Sequence, residues 1–315
     1  MRAAVITAPG RAKLRHLPTP DPGPGEVLVE IEGCGVCGSD LPVWHGRPWL
    51  DYPRDPGNPG HEGWGRIAAT GEGVRDLPVG TRVAALGYRS NAEFDVAAAD
   101  AVVALPEQLD GQPFPGEALG CAMNVVRRGA LRPGQTVAVV GIGFLGALLV
   151  QLAERRGAQV IAISRRPFAL QLARRMGAEH VLVPGEDAVE AVRELTGGRL
   201  CDRVLEVTGR QAPLDLASQL VRERGRLVIA GFHQDGPRTV DMRLWNWRGL
   251  DVVNAHERDP AAYVRGMRDA VHAVAGDRLH PAPLYTHEFS LGDIAAAFET
   301  ATERPHGFLK ALVRP

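Results

Sequence analysis

The chain has 315 residues, 45% hydrophobic and 23% charged, the balance of a globular protein with length for two domains at ~100–200 residues each. Its 36 Lys and Arg against 37 Asp and Glu leave a net charge of −1, so it has no general positive field for nucleic acid or an anionic membrane. Four cysteines are too few for a disulfide scaffold and fit a reducing compartment. Met1–Gly10 reaches Pro9-Gly10 before an apolar core of signal-peptide length forms, so a cytoplasmic protein is expected. Thr136–Ala153 is apolar enough to suggest a membrane span, but Gly141, Gly143 and Gly146 interrupt it and Glu154-Arg155-Arg156 follows. A strand, a glycine turn and a helix are expected there instead.

In chain order, the first 110 or so residues read as short strands such as Val27–Ile31, Gly65–Ala69 and Arg82–Leu86, punctuated by Pro18, Pro20, Pro22, Pro24, Pro53, Pro56 and Pro59. That pattern predicts a β-rich unit. A helix is expected from near Gly116 toward Gly129. Strand-like and helical runs then alternate: Thr136–Val140, Ala147–Arg156, Gln159–Ile163, Pro167–Met176, His180–Val183, Ala188–Leu195, Arg203–Val207, Leu214–Val221 and Arg226–Ile229. Such alternation predicts βαβ crossovers and a doubly wound parallel sheet, an α/β fold. Val240–Arg248 holds Trp245 and Trp247, two of the five tryptophans; a cleft wall, a subunit contact and plain packing all remain open for it. Tyr285–Phe289, a helix over Leu291–Thr302 and a strand over Phe308–Val313 look like a return to the first unit. The expected domains are 1–124 with 266–315, and an inserted 125–265.

Gly141-Ile142-Gly143-Phe144-Leu145-Gly146 follows a predicted strand and opens a predicted helix. Glycines at that spacing permit a tight turn, close approach of a pyrophosphate and close helix–strand packing, and the helix N-terminus offers unpaired N–H groups. This predicts dinucleotide binding by Gly141, Gly143, Phe144, Leu145 and Gly146. NAD enzymes place Asp or Glu ~20 residues further on, to accept from the ribose 2′-hydroxyl. Here the next strand ends in Ser164-Arg165-Arg166. A hydroxyl and guanidinium groups suit a 2′-phosphate, which a carboxylate would repel. NADP(H) is therefore favoured over NAD(H).

Cys34-Gly35-Val36-Cys37-Gly38-Ser39-Asp40, Gly60-His61-Glu62-Gly63 and Glu117-Ala118-Leu119-Gly120-Cys121 collect thiols, an imidazole and carboxylates. Thiolate and imidazole are preferred Zn²⁺ ligands, and a catalytic zinc keeps three protein ligands with one position open. Cys34 and Cys37 also have the spacing of a redox pair or of half a structural zinc site. The first lacks a thioredoxin-like βαβ context, and the second lacks another Cys pair.

With Pro18–Gly25 before Val27-Leu28-Val29, these motifs and the glycine turn come in one order, and the whole chain resembles the zinc-dependent medium-chain alcohol dehydrogenases, in their polyol- and threonine-dehydrogenase-like branch. The resemblance implies a GroES-like catalytic domain with an inserted Rossmann domain. It implies one catalytic zinc held by Cys37, His61 and Cys121, with Glu62 a nearby carboxylate able to enter coordination. Ser39 would pass the substrate's proton, and Asp40 would accept from His61 and fix its tautomer. Thr208, Gly231 and His233 would face the cofactor, and Lys310 would aim at its pyrophosphate. The implied substrate is a small secondary alcohol, ketone or aldehyde, and the implied assembly a homodimer or homotetramer. A zinc-free quinone-reductase-like enzyme and a non-catalytic NADPH-binding protein are the alternatives.

Three features depart from the family pattern. The lobe with four closely spaced cysteines is missing, since Arg82–Leu86 runs through Gly87–Asn91 directly to Ala92-Glu93-Phe94, so no structural zinc is expected. Pro42 stands where several members carry a relay histidine; His45 is nearby, with a cleft or a surface role open to it. Glu117 precedes Cys121 by four residues, where polyol-type relatives place a glutamate on the zinc or its water, so Glu117 competes with Cys121 as third ligand. Cys201 is expected to be a buried structural thiol.

Overall fold

A computed structural model describes residues 1–185 and 187–315. The chain opens on a hairpin of β1 (Arg2–Ala8) and β2 (Arg11–His16). Then come β3 (Glu26–Gly35), helix α1 (Leu41–His45), β4 (Gly63–Thr70), β5 (Arg82–Ala85), β6 (Phe94–Ala98) and β7 (Val102–Ala104). β3 turns Val27, Val29 and Ile31 into a core with Ile67 and Val83, while on its other face Leu28 is buried and Glu30 is exposed. Helix α2 (Gly116–Gly129) ends this part.

Six parallel strands follow: β8 (Thr136–Val140), β9 (Gln159–Ile163), β10 (His180–Leu182), β11 (Cys201–Glu206), β12 (Val221–Ile229) and β13 (Asp251–Asn254). They alternate with α3 (Phe144–Glu154), α4 (Pro167–Arg175), α5 (Ala188–Leu195), α6 (Gln211–Leu220) and α7 (Met242–Arg248). The sheet order β10-β9-β8-β11-β12-β13 is the doubly wound order, with its switch point beside the first strand. Residues 137–140 of β8 and 160–163 of β9 are all buried, as expected of strands covered on both faces. The chain closes with α8 (Pro260–Ala275), β14 (His287–Ser290), α9 (Ile294–Glu303) and β15 (Ala311–Arg314). β15 pairs with β3 and extends the first sheet to β14-β15-β3-β4-β5-β7, with β6 on β3.

Two compact units result: residues 1–120, 259–277 and 281–315, and residues 121–258 with 278–280. The first is the GroES-like β-rich unit and the second the Rossmann-like unit. Among the described residues no helix is long and apolar enough to cross a membrane; the apolar stretch from Thr136 is β8, the glycine turn and α3. Trp245 on α7 packs against the core of the second unit, whereas Trp247 is 83% exposed.

Candidate active site

In the first unit, Cys37 follows the end of β3 and caps a short 3₁₀ turn over Gly38–Asp40. The buried Asp40 carboxylate reaches back to accept from the Cys37 backbone N–H at 2.8 Å, and its other oxygen lies 3.1 Å from His61 Nδ1. One carboxylate thus braces two metal-ligand candidates from separate segments. His61 and Glu62 come immediately before β4. The backbone leading to them is pinned by Asn91, whose side-chain amide donates to the Pro59 carbonyl at 2.7 Å. The short 87–93 connection therefore helps to seat His61.

Cys37 Sγ, a His61 ring nitrogen and a Glu62 carboxylate oxygen lie within 4.8 Å of one another. With Nδ1 turned to Asp40, His61 leaves Nε2 toward this cluster, the arrangement by which an outer carboxylate fixes the tautomer of a ligating histidine. Burial disfavours the imidazolium, but Asp40, aided by Cys37, outweighs it and raises the His61 pKa well above the ordinary value. Ser39 Oγ donates to Cys37 Sγ at 3.2 Å and stands 3.5 Å from His61 Nε2.

Glu62 is 1% exposed; its Oε1 accepts from Lys310 Nζ at 2.6 Å, while Oε2 contacts the same ammonium but has no aligned hydrogen bond. Gly35 makes room for it, since a Cβ there would stand 1.9 Å from Glu62 Oε2. Thiolate, imidazole and a carboxylate oxygen with an unused lone pair form a donor set that fits Zn²⁺.

Lys310, expected to aim at a pyrophosphate, is paired with Glu62. It is 4% exposed, and its ammonium is held on Glu62. Burial would lower its pKa, but Glu62 and Cys37 outweigh that and raise it. The Thr286 hydroxyl, accepting from the Leu309 and Lys310 amides at 3.0 and 3.3 Å, sets the backbone that delivers it. Glu117 is buried on α2; it is not among the three converging donors, and neither is Cys121, the first residue of the second unit. His45 is exposed and meets the Thr302 hydroxyl at 3.2 Å. Cys34 and Cys201 are both buried; burial holds the Cys34 thiol protonated and pushes Cys201 up to about 12.

In the second unit, Gly141 ends β8 with φ +105°, and a Cβ there would meet Thr208 Cγ2 at 2.4 Å. Gly146, on the first turn of α3, packs against the Gly141 carbonyl, where a Cβ would stand at 2.0 Å. Gly143, Phe144 and Leu145 form the turn and the start of α3, so this helix N-terminus opens at the switch point. At the end of β9, Ser164 is buried and its hydroxyl accepts from the Arg166 amide at 3.3 Å; Arg166 Nη2 donates to the Ile142 carbonyl at 2.9 Å. Arg165 is exposed.

Glu206 was not anticipated. It is fully buried, at 0% exposure, and gathers Thr208, Gly209 and His233 around its carboxylate. The signal available was a carboxylate inside the apolar run Val204-Leu205-Glu206-Val207, since a buried charge must find partners.

Residues 23–107 match the family profile "Alcohol dehydrogenase GroES-like domain", and residues 145–272 match "Zinc-binding dehydrogenase". Sorbitol dehydrogenase of Bacillus subtilis (strain 168) is 28% identical over 348 aligned positions, covering 100% of this chain and 97% of that protein. An alcohol dehydrogenase of Geobacillus stearothermophilus is 32% identical over 267 positions, covering 73% of this chain and 77% of the relative. The chain belongs to the zinc-binding medium-chain alcohol dehydrogenase family. Among solved structures, a Sinorhizobium meliloti 1021 protein bound to NADP superposes with TM-score 0.87 at 26% identity, covering 100% of this dehydrogenase and 99% of that chain. The dehydrogenase is thus an oxidoreductase of the zinc-dependent alcohol and polyol type, using a nicotinamide cofactor.

Proposed function

We propose that this dehydrogenase moves a hydride between NADP(H) and a small secondary alcohol or ketone, or an aldehyde, with one zinc held by Cys37, His61 and Cys121 and with Glu62 able to enter coordination. The observation that carries the reading is the convergence of Cys37, His61 and Glu62 beside the Ser39 hydroxyl. When bound, zinc supplies Lewis-acid polarisation of the substrate oxygen, and the nicotinamide supplies or receives the hydride. Asp40 keeps the Nδ1 proton on His61 and leaves Nε2 for ligation. Ser39 is the proton carrier, because a hydroxyl both donates and accepts and this one already lies against the thiolate and imidazole.

The similarity to a sorbitol dehydrogenase over the whole chain, with Glu117 four residues before Cys121, favours polyol-like secondary alcohols. The Ser164-Arg165-Arg166 terminus of β9 favours NADP(H), in line with the NADP bound to the S. meliloti protein.

A cofactor-coupled screen of zinc-loaded protein over secondary alcohols, polyols and ketones tests the reading. Turnover above background supports it, and no hydride transfer with any class or either cofactor overturns it. Ser39→Ala is expected to lower kcat by ~10²-fold, the lower range for a lost acid–base group, while metal analysis still finds zinc; unchanged turnover would remove Ser39 from the proton path. The double variant Ser164→Asp, Arg165→Ala replaces a phosphate-binding pair by a carboxylate. Charge-assisted hydrogen bonds are worth ~1.5–3 kcal/mol, so the NADP-to-NAD ratio of kcat/KM should fall ~10²-fold, and a ratio that stays put contradicts the NADP assignment.

A further inference from the structure

The carboxyl ends of β11 and β12 carry an enclosed polar network with no place yet in the chemistry. Glu206 Oε1 accepts from the Thr208 amide at 2.7 Å, the Thr208 hydroxyl at 2.5 Å and the Gly209 amide at 3.0 Å. Its Oε2 lies 2.8 Å from His233 Nε2. On the other side of the ring, Arg238 Nε donates to His233 Nδ1 at 3.1 Å. Arginine has only donors, so Nδ1 must be the acceptor and Nε2 must carry the proton given to Glu206. Arg238 also donates to the Gly209 carbonyl at 2.8 Å and pairs with Asp235. The histidine is therefore held as one neutral tautomer between a buried carboxylate and a fixed guanidinium.

What this network holds is a ridge of two interlocked loops. A Cβ on Gly209 would meet the Phe232 carbonyl at 2.1 Å, and one on Gly231 would meet the Gly209 amide at 2.2 Å. Thr208 in turn lies over Gly141 at the start of the glycine turn. The ridge stands beside the switch point, on the β11–β12–β13 half of the sheet. The half built on β8, β9 and β10 carries the ribose-selecting position at Ser164, so the ridge belongs to the second mononucleotide half, which takes the nicotinamide end.

We infer that His233 is a positioning residue for the nicotinamide half of the cofactor, acting through Glu206 on the Thr208–Gly209 and Gly231–Phe232 loops. This rests on dinucleotide use, as the family membership implies. His233→Ala leaves Glu206 buried without its Oε2 donor, and the two loops lose their common anchor. His233→Gln keeps an amide donor for Glu206 and a carbonyl acceptor for Arg238.

Isothermal titration of the full chain with NADPH and with 2′-phospho-ADP-ribose, which lacks the nicotinamide, separates the possibilities; NADH and ADP-ribose serve as the matching pair if wild type prefers them. Wild type failing to bind either dinucleotide would overturn the cofactor reading and this inference with it. Given wild-type binding, His233→Ala should weaken the dinucleotide about tenfold, change the fragment less than twofold, and be restored by His233→Gln to within about threefold of wild type. Wild-type affinity in His233→Ala, or equal weakening of dinucleotide and fragment, overturns the inference. Should His233→Ala fail to fold, Arg238→Ala, which leaves the His233–Glu206 bond in place, must show the same sign of split, and its absence overturns the inference equally.

Discussion

Replacing Cys37 by alanine is expected to remove zinc and turnover together. The thiolate is the one soft donor among the three that converge, and Asp40 holds its backbone in register with His61. His61, the proposed ligand Cys121 and Glu62 that remain hold Zn²⁺ more weakly, because the set has lost one of its two thiolates. Metal polarisation of a carbonyl is worth several kcal/mol, and each ~1.4 kcal/mol is tenfold in rate. Turnover should therefore fall on the order of 10³-fold or more, with zinc well below one per chain by metal analysis. Because the Cys37 side chain is only partly buried, the variant should still fold, so circular dichroism and an unchanged melting profile of the metal-free protein are the control. Full activity in Cys37→Ala would dismiss the metal mechanism.

The second large effect is on stability. Lys310→Met is expected to destabilise the metal-free first unit by about 3–5 kcal/mol, the usual result of breaking a buried ion pair by removing one partner. Glu62 would stay behind at 1% exposure with no cation on its carboxylate. Replacing both residues with apolar ones, Glu62→Leu with Lys310→Met, should recover most of the loss, because a buried pair and a well-packed apolar pair are often nearly equivalent. Urea midpoints for the two single variants and the double variant form the cycle that isolates the coupling. Additive losses would mean that the pair is not energetically coupled. Zinc affinity measured on the same variants shows separately whether Lys310 also holds Glu62 in place for the metal.

The parts of the fold that were legible share a cause. β8 and β9 run over the residues anticipated for them, because Val-Ala-Val-Val and Val-Ile-Ala-Ile are β-branched runs buried on both faces and closed by glycine or polar turns. The last strand begins at Ala311 rather than Phe308, since Leu309 and Lys310 give their amides to Thr286 instead of a ladder partner. Helix α8 was not anticipated, though its start is written in the chain: Asp259 accepts from the Ala261 amide and Pro260 takes the first helical position. The β1–β2 hairpin was missed because β2 has no buried residue and so no apolar alternation to show.

The site divides the same way. Cys37, Ser39 and Asp40 are neighbours in sequence, as are His61 and Glu62, so a local pattern can reveal them. Lys310 is 248 residues from Glu62, and His233 is 27 from Glu206. Only the folded sheets bring those pairs together, and no local spacing encodes them.

The most direct measurement is zinc titrated back into chelator-treated wild-type protein, with bound metal and hydride transfer read on the same samples. Turnover should rise in proportion to bound zinc and level off at one ion per chain. Full turnover before any zinc is bound, or a plateau that requires two ions, would contradict the account.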